Sequence, residues 1–346
     1  MADLRLLNFA AFYGSLALTV YILAVGQALF VPLVIAIFIS FILISVTRAF
    51  ERIRIASHPL PRILALALAF AVTLLFFALV AGLVATSIQE MVTEAPRYQQ
   101  RLSELFQTAQ TRLAPYGILF RGSAVNIADV FTALAFGVSG LFGNWGLILV
   151  YVIFILLEAR TDRAKLRAFC RDEAQFQRLE AIRRRIAADI QAYLKTKVFT
   201  SALTGILTYG ALALYAVDFA PFWALLTFLL NFIPILGSMI AVAFPLLMVL
   251  IQYGSLADFL TLAALLIGIQ FTIGSILEPE IQGKSLNFSP LVILFALTFW
   301  GSIWGISGMF LSMPATVTIK IILANFPQTE RYALLFLAES QRDSER

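Results

Sequence analysis

The sequence predicts an all-α fold, a polytopic integral membrane helical bundle of about eight transmembrane helices with a broken or re-entrant helix in its C-terminal half. Three observations predict it. Of 346 residues, 61% are apolar and only 13% are charged, with a mean hydropathy of +0.91. Soluble domains carry roughly 45–50% apolar and about 25% charged residues, so this chain has too much apolar surface for water. Second, long windows lack any charge, whereas a spanning helix needs about 20 predominantly apolar residues. Third, these windows are apolar all round, while membrane β-strands alternate apolar and polar over about ten residues.

The windows give the elements in order: Leu6 to Thr47, Ile63 to Gln89, Val130 to Leu157, Val198 to Val217, Phe219 to Ala257, Phe259 to Leu277 and Ser285 to Ile319. The first holds 42 residues and must divide, at Gly26 to Pro32. Asp3 and Arg5 give no net positive leader, and no small-residue cleavage pattern follows the apolar run, so Met1 to Phe30 reads as a retained helix. The expected layout is N-terminal transmembrane helices over 1–86, an extracytoplasmic amphipathic segment over 87–129 and a transmembrane helix over 130–157. A cytoplasmic amphipathic arm over 158–197, a transport core over 198–324 and a cytoplasmic tail over 325–346 follow.

Two polar segments separate the spans. Leu102, Leu105, Phe106, Ala109 and Leu113 recur at helical spacing against Arg101, Glu104, Gln107 and Arg112, which predicts an amphipathic helix starting after Pro96. Leu179, Ile182, Ile186, Ile190 and Tyr193 form a second stripe beside Arg183, Arg184 and Arg185. Packing within the chain or against a neighbouring subunit is the simplest use of both, with the arginines at lipid headgroups. Basic loops resist translocation. With both termini cytoplasmic, 19 of the 25 Lys and Arg residues fall on the cytoplasmic side and five on the other, namely Arg97, Arg101, Arg112, Arg121 and Lys284. Lys320 reads as a side chain reaching back to the interface. A net charge of +5 then reflects topology and anionic lipid, and no aromatic-interleaved basic groove argues for nucleic acid.

The C-terminal half carries the unusual chemistry. Asn231-Phe232-Ile233-Pro234-Ile235-Leu236-Gly237 lies near the middle of a 39-residue window, where proline removes a backbone donor and clashes with the preceding turn. Unwound backbone in hydrocarbon is tolerated only where it is buried in protein or lines a polar cavity, and broken helices are how many carriers build their sites. The window is either one interrupted span or a re-entrant hairpin; a proline kink that only improves packing is the plainer alternative. Glu278 closes a 19-residue apolar helix that also holds Gln270. It reads either as a proton carrier or as an interfacial carboxylate in a solvated loop. Glu280 and Lys284 are four apart and can pair at the surface. Gly301, Gly305 and Gly308 surround Trp300 and Trp304 ahead of Pro314, a spacing that favours close helix packing over solute contact.

Other chemistries find no support. One Cys170 and one His58 leave no ligand cluster for zinc, haem or iron–sulfur, so no metal and no cofactor is expected. Gly283-Lys284-Ser285 resembles the end of a phosphate-binding loop, but Glu278 stands where the pattern needs glycine. Gly137-Val138-Ser139-Gly140 and Gly305-Ile306-Ser307-Gly308 match the serine motif of intramembrane proteases, yet His58 lies in a polar loop and supplies no base within the membrane. Asp218 and Asp258 sit at span ends rather than in the pairing an aspartyl protease needs. The chain is therefore not expected to be an enzyme.

Tyr193 to Gly205, the run Leu229 to Gly237, and Leu277 to Ile322 with Pro279, Gly283, Leu286, Pro290, Trp300, Gly305, Gly308 and Pro314 in order together resemble the autoinducer-2 exporter family, also called PerM-like permeases. The likeness is specific over residues 190–323 and architectural before that. It implies a bacterial inner-membrane secondary carrier that forms homo-oligomers, as pentamers, and either exports autoinducer-2 or exchanges sodium or lithium for protons. The family often has asparagine or glutamine where this chain has Glu278.

The expected site lies between the break and the Glu278 to Asn287 segment. Asn231 would hydrogen-bond a small polar solute or ion, Glu278 would exchange a proton, and Gln270, Gln282 and Asn287 would line the path. Pro234, Gly237, Pro279 and Gly283 would shape it, with Gly301, Gly305 and Gly308 structural. The expected partners are that solute, a proton or sodium ion, the lipid bilayer and further copies of the chain. A membrane scaffold that transports nothing is the rival from another class.

Overall fold

A computed structural model describes residues 2–55, 58–116, 126–142, 144–158, 162–282, 288–326 and 329–336. The fold is all-α, apart from a two-residue antiparallel pair, Arg54–Ile55 with His58–Pro59. Among the described residues six stretches are long and apolar enough to cross a membrane. The chain divides into two compact units, Met1–Ile42 with Asn144–Gln191 and Phe288–Arg346, and Leu43–Gly143 with Ala192–Asn287.

In the first unit, α1 (Ala2–Val25) and the first part of α2 (Gln27–Glu51), up to Ile42, part at Gly26, inside the predicted division, while Pro32 stays within α2. A Cβ at Gly26 would lie 2.6 Å from the Phe30 ring. The helices α5 (Trp145–Glu158), α6 (Asp162–Phe169) and the start of α7 (Glu173–Leu214) follow, and Glu180 on α7 is buried beneath Arg183 and Arg184, at 2.8 and 2.7 Å.

The helix α12 (Pro290–Ala324) departs most from expectation. It doubles back at Gly305, whose φ of 61° and ψ of −140° are outside any helix. The indole of Trp300 donates to the Thr316 hydroxyl at 3.2 Å, a pair that 16 residues of straight helix would hold about 24 Å apart. Gly305 is therefore the point of reversal, and a Cβ there would meet nothing within 4 Å, so it is not seated against a helix as a packing pair with Gly301 would require. The close approach is made by Gly308, where a Cβ would sit 1.9 Å from the Trp300 carbonyl oxygen, while Gly301 lies under Met309. Trp304 ties this hairpin to α1 by donating to the Leu23 carbonyl at 3.0 Å. Its two ends meet near α13 (Glu330–Ala333): Phe336 accepts from the Ser289 amide, and Lys320, instead of extending to an interface, is buried with its ammonium 5.3 Å from the Phe288 ring centre.

In the second unit, α3 (Arg62–Leu113) runs unbroken through Pro96, although the sequence predicts a new helix after that proline. Buried Met91, Ala95 and Tyr98 anchor the chain on both sides of it, and their packing outweighs the roughly 3 kcal/mol that an interior proline costs. Packed on α3 is α4 (Ile127–Phe142), whose first amide donates to the Gln99 side chain at 2.9 Å. The window 130–157 is thus carried by two helices, α4 and α5.

The remaining helices of this unit are α8 (Ala220–Leu230), α9 (Leu236–Tyr253), α10 (Leu256–Phe271) and α11 (Glu278–Gln282), the last two joined by a π-helical stretch, Thr272–Leu277. The core centres on Trp223, Phe222, Leu212, Val249, Leu262 and Leu266. The turn from α7 into α8 is strained, with Ala216 and Phe219 at positive φ. It is clamped by three side chains: Tyr98 donates to the Asp218 carboxylate, Gln252 bonds both the Asp218 amide and the Ala216 carbonyl, and Tyr253 bonds the Tyr215 carbonyl.

Candidate functional site

The break at Pro234 folds the window into a helical hairpin. With 11 residues, α8 is about 16 Å long, too short to cross a hydrocarbon core of about 30 Å. Its last full helical bond runs from the Asn231 amide to Thr227, after which Phe232 and Ile233 make tighter bonds three residues back. Pro234 has no amide to continue the ladder. Its carbonyl instead accepts from Leu236 at 2.6 Å, closing a γ-turn around Ile235 at φ 61°, ψ −64°. That geometry is rare and strained, most of all for a β-branched residue. The return is so tight that a Cβ on Gly237 would lie 1.8 Å from the Leu230 carbonyl oxygen. Trp223 and Phe244 stack across the two arms.

The tip of the hairpin docks on α7. The Asn231 amide nitrogen donates to the Ser201 hydroxyl at 3.0 Å. Higher up, Gly205 lets α8 approach until a Cβ would stand 3.1 Å from the Ala224 carbonyl. One turn below Ser201, the Lys197 ammonium pairs with Glu278 at 2.8 Å, both side chains largely buried at 12% and 15% exposure. Thr200 shares its hydroxyl proton between the Lys197 carbonyl and the other Glu278 oxygen, each at 3.2 Å, and Gln282 donates to Glu278 at 3.2 Å. A single turn of α7 therefore holds both the helix break and the carboxylate.

Two features of sequence build this arrangement. Lys197, Thr200, Ser201, Thr204 and Thr208 recur at helical spacing, and the four hydroxyl residues are buried, so α7 carries a polar stripe from its basic arm into its apolar run. Pro279 accounts for the π-helical stretch: in a regular helix its ring would strike the carbonyl of Ser275, and a widened turn moves that carbonyl away. The Glu278 amide then bonds Ile273, five residues back, and the carboxylate is turned onto Lys197.

Of the expected site residues, Asn231, Pro234 and Gly237 form the hairpin tip, and Glu278 and Gln282 meet at the ion pair. Gln270 is two turns earlier on α10 and makes no side-chain hydrogen bond with the described residues. Gly283 and Asn287 lie outside the described residues, as does Lys284. Gln282 stands beside the Lys197 turn of α7 through its bond to Glu278. The site sits at the first turn of the α7 apolar run, where the tip of the α8–α9 hairpin meets Ser201. Lys197, Thr200 and Ser201 are the residues that sequence reasoning passed over. Their helical spacing was visible, but Lys197 reads there as one more charge of the arm.

A buried ion pair is neutral as a whole and tolerates the interior only while both charges persist. Adding a proton to Glu278, or removing one from Lys197, leaves a lone charge that must be compensated or rehydrated. The pair, bound to a helix reversal through one turn, is suited to linking a proton to a change of backbone position.

The family model for AI-2E family transporters matches residues 13–328. The chain belongs to this family. An AI-2E family transporter is a transport protein rather than an enzyme, and its relatives agree. The chain is 29% identical over 333 residues to the AI-2 transport protein TqsA of Escherichia coli, covering 93% of each chain. It is 31% identical over 318 residues to a protein of Haemophilus influenzae named "Putative transport protein", covering 88% of this chain and 89% of the relative. A Borreliella burgdorferi protein of the same name is 31% identical over 339 residues, with 96% and 91% covered. This transporter is thus a multi-pass membrane protein of a bacterial family.

Proposed function

We propose that this AI-2E family transporter is an inner-membrane secondary carrier. It exports a small polar solute of the autoinducer-2 kind, or exchanges a cation for protons, at the site where α7 meets the α8–α9 hairpin. Asn231 hydrogen-bonds the solute, and the Lys197 and Glu278 pair exchanges the proton. Thr200, Ser201 and Gln282 position these groups, Pro234 and Gly237 shape the reversal, and Gln270, Gly283 and Asn287 belong to the approach. The observation that carries this reading is that one turn of α7 binds both the unwound backbone and the buried ion pair. The name of TqsA supports autoinducer-2 as the first solute to try. The basic arm that α7 carries ahead of its apolar run supports cytoplasmic termini, and family likeness supports a homo-oligomer.

The test is flux in proteoliposomes, with autoinducer-2 and sodium each offered under imposed proton gradients. The double variant Lys197→Gln with Glu278→Gln keeps the site neutral and hydrogen-bonded, so the protein should still fold. Wild type should move a solute in a pH-dependent way, and the double variant should lose that dependence. Equal pH dependence in both would remove the pair from the mechanism, and no flux in wild type under any gradient would favour a scaffold.

A further inference from the structure

Thr227 is buried in the middle of α8 at 1% exposure, and among the described residues its hydroxyl is the buried side-chain polar atom without a hydrogen-bond partner. A helical threonine has a ready partner in the carbonyl four residues back. Elsewhere in the chain Thr47, Thr73, Thr204, Thr316 and Thr318 all use it. At Thr227 that carbonyl belongs to Trp223, and the hydroxyl makes no hydrogen bond to it. A buried hydroxyl left unbonded costs stability that an apolar residue of the same shape would not. The position holds a group whose partner is absent from the folded chain itself.

The place of this hydroxyl indicates what the partner is. Thr227 is one turn from Asn231 on the same side of α8, beside Ala224 and Phe228, which lie against Gly205 of α7. Its neighbours on α8, Trp223, Ala224, Leu226 and Phe228, carry no free acceptor or charge, and Asn231, one turn on, meets the Ser201 hydroxyl of α7. A cation bound there would need a negative charge, and the nearby Glu278 carboxylate is already matched by Lys197. A neutral solute needs only donors and acceptors, spaced by a helical turn.

We propose that Thr227 is a specificity-determining residue that hydrogen-bonds a hydroxyl or carbonyl of a small neutral solute while Asn231 holds a second polar group of it. This rests on the reading of the Asn231 site as the transport site. The test uses Thr227→Val, which keeps the shape and removes the hydroxyl, and Thr227→Ser, which keeps the hydroxyl. The full-length protein is examined for thermal unfolding in detergent and for autoinducer-2 and sodium flux in proteoliposomes. Thr227→Val should unfold at the wild-type temperature or above it, yet show a KM for autoinducer-2 raised about tenfold, the usual effect of one lost substrate hydrogen bond. Thr227→Ser should restore the KM. A lowered melting temperature for Thr227→Val would assign the hydroxyl to internal packing or a buried water and overturn the proposal, as would an unchanged KM. Wild-type sodium flux without autoinducer-2 flux overturns the neutral-solute assignment alone, whereas wild type without any flux overturns the carrier reading as well.

Discussion

Ile235 and Gly237 show how tightly the hairpin tip is specified. Ile235 holds a conformation that disfavours any side chain with a Cβ, and strain of that kind costs of order 1–3 kcal/mol where it persists. Ile235→Gly should therefore stabilise the protein, raising its melting temperature, while loosening the tip and reducing transport. Gly237→Ala should have the opposite effect on stability, because its Cβ meets backbone rather than a side chain that can move. A loss of more than about 3 kcal/mol, or failure to accumulate in the membrane, is expected. Thermal unfolding of both variants checks the pair of outcomes, and an unaffected Gly237→Ala would contradict the close return at Leu230. Pro234 announced this break in the sequence because proline acts through its own covalent structure. Lys197 did not announce its role, because its partner is 81 residues away and a sequence orders charges only by position along the chain.

At the scale of elements, apolar length was legible and direction was not. Every charge-free window holds helix, but α12 and the α8–α9 pair turn back on themselves, and each uses a glycine seated on the carbonyl of the preceding arm. A residue at positive φ stands two or three positions before that glycine, Ile235 in one and Gly305 in the other. A glycine spacing that promotes helix packing and one that permits reversal are the same in sequence, since both need only a missing Cβ. The break after Pro96 failed for a related reason: tertiary packing of Tyr98 and its neighbours overrides a local cost. The π-helical stretch before Glu278 gives a prediction of its own. With Pro279→Ala the reason for the wide turn is gone, and reversion to a regular helix would rotate Glu278 by about 100°. Loss of proton-linked flux with solute binding retained is expected in proteoliposomes. Undiminished coupling would show that the widened turn does not set the carboxylate.

For the whole molecule, the class and family follow from composition and from the residues of the C-terminal half, and the family match extends over residues 13–328. The single contact on which the functional account depends is that between Asn231 and Ser201, which fixes the unwound tip to the turn of α7 that also holds Glu278. It can be tested by replacing both with cysteine in a Cys170→Ser background. The 3.0 Å hydrogen bond puts these two side chains in direct contact, and a disulfide forms where Cβ atoms come within about 3.5–4.5 Å. Mild oxidation of the reconstituted double-cysteine protein should form the bond rapidly, and a reductant should reverse it. Failure to cross-link would contradict the account.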